Sequence, residues 1–283
     1  MDLSANSAQV EYWNEKAGPT WARLHEALDR QIGALGEEAL RSLALGAGEI
    51  VLDIGCGCGQ TTLEIANRIG PSGTVIGVDI STPMLAIARQ RPLPRVAGRI
   101  EFRHTDVQSA DLGQQAFDAM FSRFGIMFFS DPAAAFANLR RALRPDGRIA
   151  FVCWRPLREN PWMYEPLEAA RPLLPPLTPG NPDGPGPFAF EDPDRVRAIL
   201  DAARFADIEI RRHDAAIGSG SLEETVQLAL QVGPLGAALR EHPSYAERVT
   251  GQVRDVFGRW VSNGRVSMPA SVWVVHARNS HTR

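Results

Sequence analysis

Residues 49–64 read EIVLDIGCGCGQTTLE, and this stretch decides the fold. A hydrophobic run leads into three alternating glycines, and polar residues that can open a helix follow. Glycines at the tip of a strand let the backbone turn sharply and approach a ligand closely. The carboxyl end of a first parallel strand is also where open α/β sheets bind ligands. The stretch therefore predicts a strand, a ligand-binding glycine loop and a helix.

Four kinds of site use loops rich in glycine or cysteine, and the spacing separates them. A dinucleotide fingerprint needs G-x-G-x-x-G/A, but the third position holds Gln60 or Thr62, depending on which glycine starts the count. A Walker A loop needs G-K-S/T, which is absent. Cys56 and Cys58 form C-x-C rather than the C-x-x-C of redox motifs, and Cys153 is the third cysteine of the chain. A metal site is not expected, and the loop cysteines are interpreted as small apolar packing residues.

Composition excludes several classes of protein. The chain has 283 residues, which is enough for one large domain or a core domain with an appendage. Its 30 basic and 33 acidic residues form no basic stripe, so a nucleic-acid partner is not expected. No stretch is long and apolar enough to span a membrane, and the N-terminus does not resemble a secretory signal. We therefore expect a cytoplasmic protein with neither a nucleic-acid nor a membrane partner.

Short β-branched runs alternate with helical segments between about residues 49 and 153, which predicts βαβ units and a mainly parallel sheet. The predicted strands are IVLDIG (50–55), TVIGVDI (74–80), RIEFRH (99–104), FDAMFS (117–122), RIAFVCW (148–154), ADIEIRRHD (206–214) and SMPASVWVVHARN (267–279). Helices are predicted in QTTLEIANRI, PMLAIARQR and PAAAFANLRRALR, and RPDG (144–147) is predicted to turn the last of these into the next strand. Thr82 and Asp131 are expected as N-caps before first-turn prolines.

The chain divides by composition into four segments. Residues 1–48 are predicted to form a helical cap, and residues 49–154 the binding core. Residues 155–190 are rich in proline and glycine, so they are either disordered or a cover over the substrate, and their aromatic content favours the cover. Residues 191–283 are predicted to complete the core, with a helical insertion at about 221–263.

The ordered set of motifs resembles the class I S-adenosylmethionine-dependent methyltransferases, most closely the ubiquinone/menaquinone-biosynthesis-like group that acts on small molecules. VLDIGCGCGQTTLEIA is similar to the first motif of the family, GTVIGVDIS to the second and EFRHTDVQSADL to the adenine-contacting third. FDAMFSRFGIMFFSDP and LRRALRPDGRIAFVCW resemble the fourth strand, its helix and the fifth strand. The resemblance covers about residues 40–155. It implies an α/β, Rossmann-like fold: a mostly parallel seven-stranded sheet with helices on both faces, an antiparallel last strand, and helical cover elements at both termini.

The resemblance also implies a site for S-adenosyl-L-methionine at the strand ends. The loop N–H groups are expected to meet the carboxylate of the cofactor, and Asp53 its ammonium, directly or through water. Asp79 is expected to accept hydrogen bonds from both ribose hydroxyls, because a carboxylate is an acceptor only. Asp106 is expected to accept from the adenine amino group, beside the backbone N–H of Val107. The full set of expected binding residues is Trp21, Asp53, Gly55, Cys56, Gly57, Gly59, Asp79, Ile80, Met84, Asp106, Val107 and Ser122.

Further residues near the methyl group follow from the same resemblance. Arg123 is expected either to meet the methionyl end of the cofactor or to serve as an ion-pair partner. An apolar mouth beside the methyl group is expected from Phe124, Met127, Phe128 and Phe129. Aromatic residues expected either to fold over the cofactor or to pack in the core are Tyr12, Trp13 and Trp21.

The implied activity is methyl transfer (EC 2.1.1.-) by in-line displacement to a small, apolar or aromatic metabolite, with S-adenosyl-L-homocysteine as product. SRFG stands where enzymes that methylate exocyclic or amide nitrogens carry N/D-P-P-Y/F, which disfavours those substrates. No histidine lies in a base motif, so no catalytic residue is assigned, and no metal is expected. A non-catalytic binding protein and, less favoured, a nicotinamide-dependent oxidoreductase stay open as alternatives. The oligomeric state is left open between monomer and homodimer.

Overall fold

A seven-stranded sheet organises the computed structural model, which describes residues 6–93, 97–177, 181, 184–218 and 220–280. Its strands are β1 (Ile50–Ile54), β2 (Thr74–Asp79), β3 (Arg99–His104), β4 (Phe117–Arg123), β5 (Leu143–Trp154) and β6 (Ala206–Ile217), while β7 (Val261–Ser262) and β8 (Arg265–Val266) form a separate pair before β9 (Met268–Arg278). The spatial order is β3-β2-β1-β4-β5-β9-β6. β9 runs antiparallel to both its neighbours, and the other pairs are parallel. This topology confirms the predicted Rossmann-like fold.

Helices cover the sheet and its carboxyl edge. In chain order they are α1 (Ser7–Glu11), α2 (Gly18–Arg23), α3 (His25–Ile32), α4 (Glu37–Ser42), α5 (Gln60–Ile69), α6 (Thr82–Ala88), α7 (Pro132–Ala142), α8 (Pro161–Ala170), α9 (Pro193–Ala202), α10 (Leu222–Ala229), α11 (Gly233–Glu241) and α12 (Ala246–Gly258). A π-helical turn, Tyr12–Lys16, joins α1 to α2. Across the described residues, none of these helices has the length and apolar character that crossing a membrane requires.

The central strands are hydrophobic almost without interruption because helices cover both faces of the sheet. In β1, Val51 and Leu52 are fully buried and Ile54 is almost so. The following helix α5 is amphipathic and buries Ile65 and Ile69 against this sheet. Burial on both faces fixes the position of the loop between β1 and α5, which matters because that loop forms the site.

Two local expectations were wrong. β5 begins at Leu143, which already pairs with Phe117, and the register then shifts before Arg148 pairs with Ala119. Residues 144–147 are therefore an irregular part of the strand rather than a turn before it, and the Asn279 amide donates to three carbonyls beside them. Helix α6 starts at Thr82 itself, one residue earlier than expected.

The two predicted N-caps differ in outcome. The cap of α6 is Ser81, and no side chain caps this helix, so the prediction of Thr82 was wrong. Asp131 was predicted correctly, since its carboxylate accepts a hydrogen bond from the Ala134 N–H at 3.0 Å. A side-chain acceptor at this position stabilises a helix by about 1 kcal/mol.

The segments around the core contain the helices foreseen at 221–263 and also α8, which was not predicted. α8 lies in the Pro/Gly-rich segment, has Pro166 in its interior, and packs on α11, α12 and β9. The predicted insertion at 221–263 contains α10, α11 and α12, and ends in the short strand β7. The division of the chain into four functional segments stays a prediction.

Candidate functional site

A crevice lies at the carboxyl ends of β1, β2 and β4, where the strand order reverses between β1 and β4. Such a reversal point is the usual ligand site of an open α/β sheet. The crevice has two adjoining parts. The wide pocket encloses about 690 Å³, including space open to solvent, and runs from the end of β1 across β2 to residues 105–107. The loop pocket lies between the glycine loop and helices α2 and α3.

Most of the expected binding residues line this crevice. Those in the wide pocket are Trp21, Gly55, Asp79, Ile80, Met84, Asp106 and Val107. Cys56 and Gly57 line the loop pocket, which shares Trp21, Gly55, Met84 and Arg123 with the wide pocket. The shared residues mark the junction at which the two pockets meet.

The glycine loop passes too close to its neighbours for side chains. Gly55 has φ +64°, and a Cβ there would lie 2.7 Å from the Gly125 Cα. Gly57 has φ +54°, and a Cβ there would lie 2.8 Å from the end of the Met84 side chain. At Gly55 both the backbone conformation and the approach of the Gly125 backbone require glycine, whereas at Gly57 the backbone conformation favours it and the flexible end of Met84 can move.

Asp79 ends β2 and holds the loop from the other side. Its Oδ2 accepts a hydrogen bond from the Gly57 N–H at 2.7 Å, and its Oδ1 accepts from the Ser81 N–H at 2.8 Å. Burial raises the pKa of this carboxyl, and the backbone hydrogen bonds oppose the increase. Each oxygen keeps a further lone pair, so the carboxylate can also accept two hydroxyl groups from a ligand.

Asp106 has an unused acceptor in the wide pocket. The side chain is 2% exposed, and its Oδ1 accepts from the Gln108 N–H at 2.9 Å. Its Oδ2 is buried and has no hydrogen-bond partner among the described residues. A buried carboxylate oxygen without a partner is costly, by about 1–3 kcal/mol or more. The position therefore suits a ligand that brings an N–H donor.

Asp53 lies behind the glycine loop and lines neither pocket. Its Oδ2 accepts from the hydroxyls of Thr61 at 2.7 Å and Thr62 at 2.6 Å, while its buried Oδ1 has no partner among the described residues. Burial raises the pKa of this carboxyl to about 6, although the two hydroxyls and Arg123 lower it. The geometry does not show the expected direct contact with a ligand ammonium; instead the carboxylate fastens the first turn of α5.

Two other expected binding residues shape the crevice without lining it. Ser122 is fully buried, and its hydroxyl donates to the Ile54 carbonyl at 2.8 Å, which ties β4 to β1. Gly59 has φ +83°, and a Cβ there would lie 2.9 Å from both Ala88 and Phe102. Ser122 thus holds the strand ends together and Gly59 lets α5 start close to α6, while their expected ligand contacts stay predictions.

Arg123 lines both pockets, and its side chain is 11% exposed. It donates to the Gln60 side-chain oxygen and lies 3.7 Å from Asp29. Asp29 also pairs with Arg91, which donates to the Cys58 carbonyl. Burial lowers the pKa of Arg123, but a guanidinium stays charged in proteins. The two roles foreseen for Arg123 thus coincide, since it belongs to an ion-pair cluster and also faces the crevice.

Aromatic rings form the mouth of the wide pocket. Trp13 meets Trp21 edge-on at 5.7 Å and Phe128 at 4.9 Å between ring centroids. Phe124 stacks on Trp154 at 4.1 Å. The rings that line the pocket are Trp13, Trp21, Phe124, Phe128 and Phe129.

Two residues expected near the methyl group lie elsewhere. Met127 is 1% exposed and lines neither pocket. The Tyr12 hydroxyl accepts a hydrogen bond from Arg240 at 3.1 Å, so it fastens the N-terminal segment to α11. Of the two roles left open for the N-terminal aromatic residues, the contact with Arg240 favours packing for Tyr12.

The N-terminal segment forms one wall of the crevice, here called the N-terminal wall (residues 6–32). Asn14 docks it: the Asn14 Nδ2 donates to the Ile80 carbonyl at 2.8 Å, and its Oδ1 accepts from the Thr82 N–H at 2.9 Å. The Ser81 hydroxyl donates to the Trp13 carbonyl at 2.8 Å. Sequence analysis missed Asn14, Asn6 and Asp29, and it considered His25 as a base by residue type only, without assigning it; Asn6, His25 and Asp29 line the crevice. No motif marks them; only the helical spacing of Trp21, His25 and Asp29 could have indicated a shared face.

The described residues of the Pro/Gly-rich segment do not line this crevice. Of its described residues, 155–177, 181 and 184–190, none lines either pocket. The remaining residues of the predicted cover, 178–180 and 182–183, lie outside the described part of the chain. Across the described ranges, no three or more His, Cys, Asp and Glu side chains are grouped so that they could hold a metal ion.

Comparison with known proteins agrees with this geometry. Residues 51–147 match the sequence model of a family described as a methyltransferase domain. The chain is 30% identical over 193 residues to nocamycin O-methyltransferase of Saccharothrix syringae, which covers 62% of this chain and 66% of that protein. It is 36% identical over 107 residues to the ubiquinone/menaquinone biosynthesis C-methyltransferase UbiE of Pseudomonas putida, which covers 38% and 42%. The chain thus spans about half to two thirds of the length of the curated relatives it matches.

A solved structure shares the fold. The crystal structure of the YcgJ protein of Bacillus subtilis matches with a TM-score of 0.56 and 18% identity, covering 88% of this chain and 99% of that one. At this identity the likeness shows the arrangement of the sheet and helices. It covers more of the chain than the family model does.

Proposed function

Since the core of the chain belongs to the class I S-adenosylmethionine-dependent methyltransferases, we propose that the protein transfers a methyl group from S-adenosyl-L-methionine to a small-molecule acceptor by in-line displacement. The products are the methylated acceptor and S-adenosyl-L-homocysteine. The generic class is EC 2.1.1.-. The proposal rests on the crevice and on relatives that the chain spans only in part.

The observation that carries the proposal is the pair of carboxylates on one wall of the wide pocket. Asp79 has spare lone pairs beside the glycine loop, and Asp106 has a buried oxygen without a partner among the described residues. Together they fit the two ribose hydroxyls and the adenine amino group of an adenosine. Ile80, Met84 and Val107 line the same pocket and suit the flat apolar faces of a purine.

The loop pocket suits the amino-acid tail of the same cofactor. Arg123 supplies a charged donor for a carboxylate, and charge-assisted hydrogen bonds of this kind contribute about 1.5–3 kcal/mol. Within the glycine loop, the Gly57 N–H already donates to Asp79, and the N–H groups of Cys56 and Gly59 donate to backbone carbonyls, so Arg123 is the donor on which this assignment depends. Asp29 lies within the same pocket and offers a carboxylate to the ammonium.

When bound, the cofactor supplies an electrophilic methyl group carried on a sulfonium. The residues of the chain hold it, orient it and exclude water. The rings at the mouth of the wide pocket can attract a cation, which contributes roughly 0.5–2 kcal/mol each. Placing an acceptor in line with the methyl group then lowers the barrier, because orientation alone can supply about 7–11 kcal/mol.

The acceptor is proposed to be apolar or aromatic. The aromatic rings of Trp13, Phe124 and Phe128 line the wide pocket, which suits an acceptor of this kind. One named relative is an O-methyltransferase and another a C-methyltransferase, so either acceptor atom is compatible with the family. Helix α10 supports the N-terminal wall from behind, because Leu28 of the wall packs in one cluster with Leu228 of α10 and with Val232, which precedes α11.

The test is to measure cofactor binding and turnover separately. Isothermal titration with S-adenosylhomocysteine should show one site, and NADH should not bind. Tritiated S-adenosylmethionine with a panel of phenols, quinols and apolar enols should then yield labelled product. Binding without turnover across the panel would favour a non-catalytic binding protein, and absence of binding would overturn the proposal. A cytoplasmic location and a monomeric or homodimeric state stay predictions.

A further inference from the structure

We propose that His25 is the general base of the methyl transfer, taking a proton from the acceptor through its Nε2 atom. The inference rests on the proposed function and adds a catalytic residue to it. Nothing in the sequence pattern marks this histidine. Its position, its hydrogen bond and the chemistry of its neighbours carry the argument.

His25 faces the crevice beside the junction of its two pockets. It lines the loop pocket together with Trp21, Gly55, Met84 and Arg123, the residues that this pocket shares with the wide pocket. Asp29 lies four residues further along α3, on the same face of that helix and in the same pocket. The ring therefore shares the loop pocket with the residues of the junction and with the ion-pair cluster that surrounds Arg123.

One hydrogen bond fixes the proton of the neutral ring. Nδ1 of His25 lies 2.8 Å from the Ala22 carbonyl oxygen. A carbonyl can only accept, so Nδ1 carries the hydrogen, and Nε2 is left with the lone pair. Nε2 has no partner among the described residues. The ring is thus held in the tautomer that a base facing the crevice needs.

The other titratable groups of the crevice are engaged or are poor bases. Among the described lining residues these are Asp29, Cys56, Cys58, Asp79, Asp106 and Arg123. Burial raises the pKa of Cys56, and raises that of Cys58 to about 12, so both are neutral thiols near neutral pH. Asp29 pairs with Arg91 and Arg123, and the proposed cofactor occupies Asp79 and Asp106. His25 is left as the available base beside the junction.

The charged groups around the ring come from four elements. Asp29 lies on the same helix, and Arg123 comes from the end of β4. Arg91, which follows α6, pairs with Asp29, while Cys56 and Cys58 belong to the glycine loop. The cluster contains two guanidinium groups and one carboxylate, of which Arg123 and Asp29 line the same pocket as the ring.

In the proposed step, the acceptor O–H or C–H bond gives its proton to His25 Nε2, and the acceptor's electron pair forms the new bond to the methyl carbon. The bond between that carbon and sulfur breaks, and its electrons neutralise the sulfonium. The imidazolium then returns its proton to water, so one proton is released for each methyl group transferred. General-base catalysis of this kind contributes about 100-fold to 10,000-fold in rate.

The first test determines which ring nitrogen of His25 carries the proton and requires no catalytic turnover. Long-range ¹H–¹⁵N spectra of the full chain, assigned by comparison with His25→Gln, should show Nδ1 protonated and Nε2 bare. Adding S-adenosylhomocysteine and phenol should shift the Nε2 signal. A protonated Nε2, or an Nε2 signal that the two additions leave in place, would overturn the inference. Failure of the wild type to bind S-adenosylhomocysteine would instead contradict the proposed function.

The second test uses the charge of the acceptor. His25→Gln should bind S-adenosylhomocysteine as the wild type does but methylate phenol about 100-fold more slowly. With 4-nitrophenol at a pH where it is already ionised, the variant should match the wild type. The matched control is His213→Gln on β6, which should lower neither rate. An equal loss with both phenols would show that His25 only positions the acceptor and would overturn the assignment.

Discussion

The carboxylate of Asp79 accepts a hydrogen bond from the backbone N–H of Gly57 at 2.7 Å, so the residue that ends β2 holds the loop that ends β1. The two strands are hydrogen-bonded neighbours in the sheet, and their register sets this contact. A ligand that lies across the glycine loop must therefore also meet Asp79. The proposed cofactor contacts of the loop and of the carboxylate are coupled for this reason.

Asp79→Asn should weaken the binding of S-adenosylhomocysteine by about 1–3 kcal/mol, because an amide nitrogen cannot accept a hydroxyl hydrogen and the charge is lost. Isothermal titration measures the change. Asp111→Asn is the matched control, since the Asp111 side chain is 89% exposed and lies outside the crevice lining. Equal affinity of wild type and Asp79→Asn would contradict the ribose assignment.

Asp106→Asn should change which purine the wide pocket prefers. The amide oxygen of the variant can keep the bond from the Gln108 N–H, and the amide nitrogen then presents a donor where Asp106 has its unpaired oxygen. Affinity for S-adenosylhomocysteine should fall about tenfold, corresponding to about 1.4 kcal/mol for one lost hydrogen bond. S-inosylhomocysteine, which carries an acceptor in place of the amino group, should bind the variant better than the wild type. The same loss for both ligands would contradict a contact at the amino group.

Arg123→Met should weaken the binding of ligands that carry the amino-acid tail and leave the binding of ligands without it unchanged. S-adenosylhomocysteine should lose about tenfold to 100-fold in affinity, because the charged donor for its carboxylate is gone. 5′-Methylthioadenosine, which has no amino-acid tail, should bind as it does to the wild type. Arg171→Met serves as control, since Arg171 pairs with Glu168 on an exposed surface. An equal loss of affinity for both ligands would show that Arg123 stabilises the crevice and does not contact the amino-acid tail.

Gly55→Ala and Gly70→Ala form a matched pair for stability. The two glycines have similar φ angles, +64° and +66°. A Cβ at Gly70 meets nothing within 4 Å, whereas one at Gly55 would lie 2.7 Å from the Gly125 Cα. Gly70→Ala should cost about 1–3 kcal/mol, because φ +66° with ψ −177° is a backbone conformation that essentially only glycine adopts, and Gly55→Ala should cost about 1–3 kcal/mol more for the clash. Urea unfolding measures both, and equal costs would contradict the close approach of the two loops.

Asp53 should make stability depend on pH in a defined direction. Burial raises its pKa from 3.8 to about 6, so the folded protein holds this proton more tightly than the unfolded chain. The resulting stability is fully present below pH 3.8 and is lost as the pH rises through about 6. Relative to Asp53→Asn, the wild type should lose about 3 kcal/mol in free energy of unfolding between about pH 4 and pH 7.5. Urea unfolding at several pH values checks this, and a difference that does not change with pH would contradict it.

Much of the core could be predicted because its signals are local. β3 and α5 have the predicted bounds, since a β-branched run and an amphipathic spacing with clear flanks leave little choice. The strand that contains RIAFVCW begins five residues earlier than predicted, at Leu143. That extension depends on pairing with Phe117 and on the Asn279 amide, both distant in sequence.

The direction of individual side chains was harder to predict. Ser122 follows the motif that meets the ligand, yet its hydroxyl points to the Ile54 carbonyl. Alternation along β4 gives two faces, and the sequence alone does not tell which face meets the crevice. Asp53 is a similar case, because its contacts with Thr61 and Thr62 form only when α5 folds back over the strand.

The N-terminal wall could not be found from motifs because its contacts are all tertiary. Asn14 reaches Ile80 and Thr82, and Asp29 reaches Arg91, across more than sixty residues of sequence. No short pattern specifies such pairs. Helical spacing predicts that Trp21, His25 and Asp29 share a face, but only the fold shows what that face meets.

The docking of the N-terminal wall has a consequence for biosynthesis. The wall leaves the ribosome before the strands that it covers, and its anchor points at Ile80, Thr82 and Arg91 emerge only later. Until then Trp13 can pack on Trp21 within the wall but not on Phe128, which is synthesised later. The binding crevice is therefore complete only once the wall has docked on these later residues.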